Sequence, residues 1–168
     1  MIRFIHLADV PMGAVPDRGC QWSHEREEEI WDTFRRVIAS VRRDPVDLLF
    51  IAGDLFHRQP LLKELKEVNY LFSTLPETRV FLMAGNHDYM KRNSFYRGFA
   101  WEPNVTFFDS EKMSCAYIEE LQTFVYRMSY EHQEIKEPLY NSWQPEQGQG
   151  LHVLLAKGGD EKDIPMDA

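Results

Sequence analysis

The sequence predicts an α/β fold built on a parallel sheet, and three observations predict it. Apolar runs at residues 2–8, 46–52 and 79–84 are short and rich in β-branched or aromatic residues, as strands buried on both faces are. Amphipathic helical stretches separate them, so strand, helix, strand, helix and strand succeed one another, the pattern of crossover-wound parallel strands. Each of the three runs also stops at a short polar motif: Asp9, Gly53-Asp54 and Gly85-Asn86-His87-Asp88.

The first strand, 2–8, gives way to a loop over 10–22 that is rich in Pro, Gly and Asp. Ser23 is the expected N-cap of the first helix. That helix opens with Glu25, Glu27, Glu28 and Glu29 and closes with Arg35, Arg36, Arg42 and Arg43, an order that complements the helix dipole. Ile30, Phe34, Val37, Ile38 and Val41 form its apolar stripe, and Asp44-Pro45 ends it. The second strand, 46–52, closes on Gly53-Asp54. Pro60 opens a helix that runs to 75, with Leu61, Leu65, Val68 and Phe72 along one side. The third strand, 79–84, leads into Gly85-Asn86-His87-Asp88. Beyond it the signals shorten: strands at 105–108, 115–118, 123–128 and 151–156, a short helix at 131–139 and a polar loop at 141–150. No repeat or linker divides the chain, so 1–168 reads as a single domain.

Composition narrows the function classes. The 168 residues carry 19 Lys and Arg against 27 Asp and Glu, a net charge of −8. That balance excludes a broad basic face for nucleic acid, so any phosphate ester must be attracted by something other than bulk charge. Apolar runs such as Leu48–Ala52 fall far short of the roughly 20 residues that cross a bilayer. The N-terminus meets Arg3 too early for a secretory signal, and Cys20 and Cys115 form no CxxC. A cytoplasmic protein that meets no membrane is expected. A generic nucleotide-binding domain is excluded by the lack of GxGxxG after the first strand and of GxxxxGK[ST] anywhere.

In a parallel sheet the C-terminal ends of all strands open on one edge, where ligands bind. Asp9, Asp54, Asn86 and His87 should therefore converge. Carboxylates, an amide oxygen and an imidazole are donors that hard to borderline divalent metals prefer. Two such ions about 3.5–4 Å apart could polarise a phosphoryl group and generate hydroxide from water, with one carboxylate bridging them.

These motifs resemble those of the calcineurin-like metallophosphoesterases. His6-Leu7-Ala8-Asp9, Ala52-Gly53-Asp54-Leu55-Phe56, Gly85-Asn86-His87-Asp88 and Leu154-Leu155-Ala156 before Gly158-Gly159-Asp160 are similar to one branch: DNA-repair exonuclease subunits that act on DNA ends beside an SMC-like ATPase. The resemblance implies a layered sandwich of mixed, largely parallel sheets flanked by helices, here with its C-terminal part incomplete. It implies Asp9 as a ligand of the first metal, Asp54 as the bridging carboxylate and Asn86 as a ligand of the second metal. His87 would stabilise the transition state or protonate the leaving oxygen, and Asp88 would hold His87 in its tautomer and orientation. Mn²⁺ at two sites is the implied cofactor, and a phosphodiester, DNA ends among them, the implied substrate.

The departures are as informative. The family's first motif has a histidine where Pro11 stands, and a later metal-binding histidine corresponds to Lys157. The paired histidines of a further motif do not occur before Ala168. His6 and His57 are the nearest substitutes, and Arg92 could meet phosphate. Lys157 would repel a divalent ion, so weak or incomplete metal sites are expected. Two readings follow: a metal-dependent phosphodiesterase, or a binding and assembly module that keeps the fold without the chemistry. Partners implied by the resemblance are an SMC-like ATPase and, through an open sheet edge, a second copy of the chain.

Overall fold

The computed structural model describes residues 1–135, 140, 143–145 and 148–158. Its elements run β1 (Phe4–Leu7), α1 (Ser23–Arg43), β2 (Leu48–Ala52), α2 (Leu62–Ser73), β3 (Arg79–Met83), β4 (Val105–Phe108), β5 (Ser114–Ile118), β6 (Thr123–Arg127) and β7 (Leu151–Leu155). The α/β expectation is met. Strands β1-β2-β3-β4 form one sheet in that order, and every neighbouring pair is parallel. Strands β5-β6-β7 form a second sheet, antiparallel between β5 and β6 and parallel between β6 and β7.

The period-2 alternation of a strand explains how the layers stack. Along β2, Leu49 and Ile51 turn to the helices and join Phe34, Ile38 and Val41 of α1 and Leu65, Val68 and Phe72 of α2. Leu48, Phe50 and Ala52 turn the other way and meet Ile118, Val125 and Leu155 of the second sheet. Strand β2 is thus buried on both faces, which is why its sequence is apolar without interruption. The order of layers is helices, four-stranded sheet, three-stranded sheet.

Three expectations are corrected. The first strand is not buried on both faces: β1 stands at the edge of its sheet, where one side has no neighbouring strand among the described residues, and Phe4 is 60% exposed. Ser23 does not cap α1: it is the first helical residue, Trp22 stands at the cap position, and no side chain supplies a cap hydrogen bond there. Residues 131–133 form a bend and 134–135 have no regular structure, so no helix starts there, and 136–139 lie outside the described residues. The start of α2 is secured by Glu64, whose carboxylate accepts from the Leu61 N–H at 2.7 Å and from both Nη atoms of Arg58. Among the described residues no helix is long and apolar enough to cross a membrane.

Candidate functional site

The polar motifs sit where the strand pattern puts them. The loops after β1 and β2 continue the strand pairing in looser form: Val10 N–H donates to Asp54 O, Met12 N–H to Leu55 O, and His57 N–H to Met12 O. This holds Asp9 and Asp54 side by side. Both adopt positive φ, 53° and 49°, a left-handed turn that non-glycine residues seldom take. The loop after β3 approaches so closely that a methyl on Gly85 would fall on the Asp54 carboxylate and within 2.5 Å of its backbone N. Only glycine fits there.

The geometry centres on Asp54, which is buried. Its Oδ1 accepts the His87 backbone N–H at 2.9 Å, and its Oδ2 lies 2.9 Å from Lys157 Nζ. The same ammonium donates to Asp9 Oδ1 at 2.9 Å. Lys157 follows β7 and therefore reaches across from the second sheet. Its side chain is 14% exposed, against 68% for Asp9. Burial would lower the Lys157 pKa, but hydrogen bonds and charge from Asp54 and Asp9 outweigh it and raise it above the usual lysine value. The ammonium is held charged between two carboxylates.

His87 is exposed, and its ring stacks on His57 with centroids 5.3 Å apart and planes at 23°. Asn86 Oδ1 is buried and accepts no hydrogen bond among the described residues. His6 is not at the strand ends. It lies on β1, opposite Phe50, and lines a groove with Phe4, Leu151 and Val153. Arg92 is exposed.

Asp88 corrects the role that the resemblance implies for it. Among the described residues no hydrogen bond joins it to the His87 ring. Its Oδ1 accepts Gly85 N–H at 2.7 Å, and its Oδ2 accepts Phe56 N–H at 3.2 Å and the Tyr96 hydroxyl at 2.8 Å. The reason is geometric: the carboxylate turns inward to satisfy two backbone donors that would otherwise be buried alone, while the neighbouring imidazole turns out to solvent. Burial pushes the Asp88 pKa up to about 6, against the opposing pull of those hydrogen bonds. Asp88 shapes the loop that presents Asn86 and His87, and Tyr96 is the partner that strand-end motifs do not reveal.

The chain matches a known family along almost its whole length. The family model described as calcineurin-like phosphoesterase matches residues 2–166. The chain belongs to that family. It is also similar to the DNA double-strand break repair protein Mre11 of Methanopyrus kandleri, 37% identical over 94 residues, covering 54% of this chain and 20% of that protein. The Mre11 proteins of Aeropyrum pernix (33% over 91 residues, 52% of this chain and 21% of that protein) and Methanocaldococcus jannaschii (31% over 93 residues, 53% and 24%) are similar over a comparable share. The matches span about a fifth to a quarter of the length of these relatives.

Members of this phosphoesterase family generally use divalent metals, and the donor set of this chain does not fit a pair of them. Among the described residues no three of His, Cys, Asp and Glu come together as a ligand group. Pro11 has no donor, and both Asp54 oxygens are engaged, one by the His87 backbone and one by Lys157. Asn86 Oδ1 is buried and without a hydrogen-bond partner among the described residues, and Lys157 engages one oxygen of the exposed Asp9. What the site can do with its own residues is limited but definite. It presents the exposed His87 imidazole beside a charged, hydrogen-bonded cluster.

Proposed function

We propose that this chain is a phosphoesterase-fold domain of the DNA-repair nuclease kind, whose substrate class is a phosphodiester and, among those, DNA ends. We propose further that its hydrolysis falls far below what the fold can deliver. The observation that carries both halves is the cluster at the strand ends. Asp9, Asp54, Asn86 and His87 are together, as phosphodiester chemistry on this fold needs, and Lys157 Nζ lies 2.9 Å from each of the two aspartates. In this reading His87, exposed beside the cluster, protonates the leaving oxygen. Mn²⁺ belongs to this reading as the ion a restored site would take.

The test is turnover of bis(p-nitrophenyl) phosphate with Mn²⁺ present. The wild type should stay near the blank. A Pro11→His/Lys157→His double variant, which adds two neutral donors and removes the ammonium, should gain turnover and lose it again on His87→Ala. Strong wild-type turnover that needs His87 would overturn the second half of the proposal. No turnover in any variant, with no binding of a labelled DNA hairpin, would overturn the first.

A second reading, a binding or assembly module, is favoured by the same Lys157 contact, because a pinned carboxylate pair serves structure more readily than catalysis. It names two partners: an SMC-like ATPase and a second copy of the chain. Strand β1 and strand β7 are each at an end of their sheet, and Phe4 and Leu151 on them are exposed. Light scattering reports the copy number directly. A 19.9 kDa particle would remove the homodimer from this reading.

A further inference from the structure

We propose that Lys157 is a built-in counter-cation. Its ammonium does structurally what a bound divalent ion would otherwise do, so the strand-end face keeps its shape without a divalent ion and admits none while the lysine remains. This goes beyond the functional reading and does not depend on whether the chain hydrolyses anything.

Three observations carry it. The first is position. Lys157 Nζ is 2.9 Å from Asp9 Oδ1 and 2.9 Å from Asp54 Oδ2, so one cation bridges carboxylates from the ends of β1 and β2. The second is enclosure. Asp54 is buried and the Lys157 side chain nearly so, and the lysine backbone is fixed as well: its carbonyl accepts from Tyr130 OH and its N–H donates to Tyr140 OH. An ammonium held at both ends of its side chain has few places to retreat to. The third is charge and donor count. Asp9 and Asp54 bring two negative charges to one ammonium, and without it they would repel each other. The ammonium offsets that repulsion from within the chain. A divalent ion seeking the same oxygens would have to sit within a few ångström of a fixed positive charge, at a site where one Asp9 oxygen and both Asp54 oxygens are already engaged.

The proposal yields a conversion. Take away the ammonium, and Asp9, Asp54 and Asn86 become three oxygen donors with no cation, a set that suits a hard divalent ion. A chain whose stability ignores such ions should become one that responds to them.

The experiment uses the 168-residue chain, stripped with chelator, with Mn²⁺ alone as the probe. It is read by calorimetric titration and by thermal unfolding. Wild type should release no binding heat at micromolar to low millimolar Mn²⁺, and its Tm should not move. Lys157→Ala should unfold at a lower temperature in chelator, regain much of that loss on adding Mn²⁺, and bind the ion at least about tenfold more tightly than wild type. Lys157→Ala/Asp54→Asn should lose the Mn²⁺ response, which assigns it to these oxygens. Lys157→Arg, which keeps the charge, should stay indifferent to Mn²⁺. A wild-type Tm that climbs with Mn²⁺ would overturn the proposal, and so would a folded Lys157→Ala that ignores it. If Lys157→Ala does not fold in either condition, the wild-type and Lys157→Arg titrations decide. Turnover is measured separately, so a failure of the phosphodiester reading leaves this readout untouched.

Discussion

The hydroxyl of Tyr96 donates to Asp88 Oδ2 at 2.8 Å, and both side chains are buried. The pair underlies the loop that carries Asn86 and His87. Asp88 also accepts from the Gly85 and Phe56 backbones, so one carboxylate ties the end of β3 to the segment after β2. Tyr96→Phe keeps the ring stacked on Phe107, 4.8 Å away between centroids, and removes only the hydroxyl. Loss of a buried hydrogen bond to a carboxylate should cost about 1.5–3 kcal/mol, read as a lower denaturant midpoint with an unchanged slope. Asp88→Asn should cost more, because its amide group turns a donor towards backbone N–H groups. An Asp88→Asn protein as stable as wild type would sink this account of the loop.

Gly85 marks the closest approach in the site, with the Asp54 backbone N 2.5 Å from where its Cβ would stand. Gly85→Ala must push the loop after β3 away from the loop after β2. Overpacking of this kind costs about 1–3 kcal/mol. Here the displaced atoms belong to Asp54, so the contacts of Asp54 with His87 and Lys157 should weaken together. The check is a thermal unfolding curve beside the calorimetric Mn²⁺ response of the same variant. A Gly85→Ala protein with an unchanged Tm would show that the approach is softer than the geometry says.

Arg127 presents the opposite sign. It is buried on β6, above the Phe108 ring, with Nε and Nη1 unpaired among the described residues and Nη2 donating to Ser114 Oγ at 3.3 Å. Burial pulls its pKa down to about 8. Replacing an under-satisfied buried charge by a hydrophobe of similar length is often stabilising, by about 1–4 kcal/mol. Arg127→Met should therefore raise Tm, at about 2–4 °C per kcal/mol for a chain of this size. A fall in Tm would mean that the guanidinium is better satisfied than its hydrogen bonds indicate.

Asp54→Ala tests a sign that sequence and structure give differently. From the strand-end motifs alone, Asp54 belongs to an acidic cluster, and removing one of several like charges could stabilise. The structure reverses this, because Asp54 accepts the His87 N–H and pairs with Lys157. Asp54→Ala should destabilise by about 2–3 kcal/mol, less than a fully orphaned charge would cost because Asp9 still faces the ammonium. Equal or greater stability would count against the ion-pair account.

What was legible in the sequence follows from how local each signal is. Strands β2 and β3 could be read directly, since burial on two faces leaves an uninterrupted apolar run and nothing else in the chain looks like it. That the strand ends carrying Asp9, Asp54 and the His87 backbone lie together was legible because a parallel sheet places its strand ends on one edge. Lys157 could be singled out as a cation in the wrong place, but not as a bridge, because that depends on how far the second sheet reaches over the first. Tyr96 carried no signal, being an aromatic residue in an aromatic-rich segment. The inward turn of Asp88 was hidden as well, because it is set by two backbone donors whose lack of other partners appears only in three dimensions. Ser23 misled through propensity, since it is the first helical residue and Trp22 stands at the cap.

Asp9 and Lys157 stand 148 residues apart, so their contact closes most of the chain into one loop. Closing a loop of that size has a high entropic cost, and it can be met only once both sheets have found their registers. The bridge must therefore be among the last features to form and the first to open. An interaction missing from the folding transition state leaves the rate of folding alone and slows the reverse step. Lys157 would then act as a kinetic latch: stopped-flow measurements on Lys157→Ala should show unfolding several-fold faster, with the refolding arm of the chevron superimposed on that of the wild type.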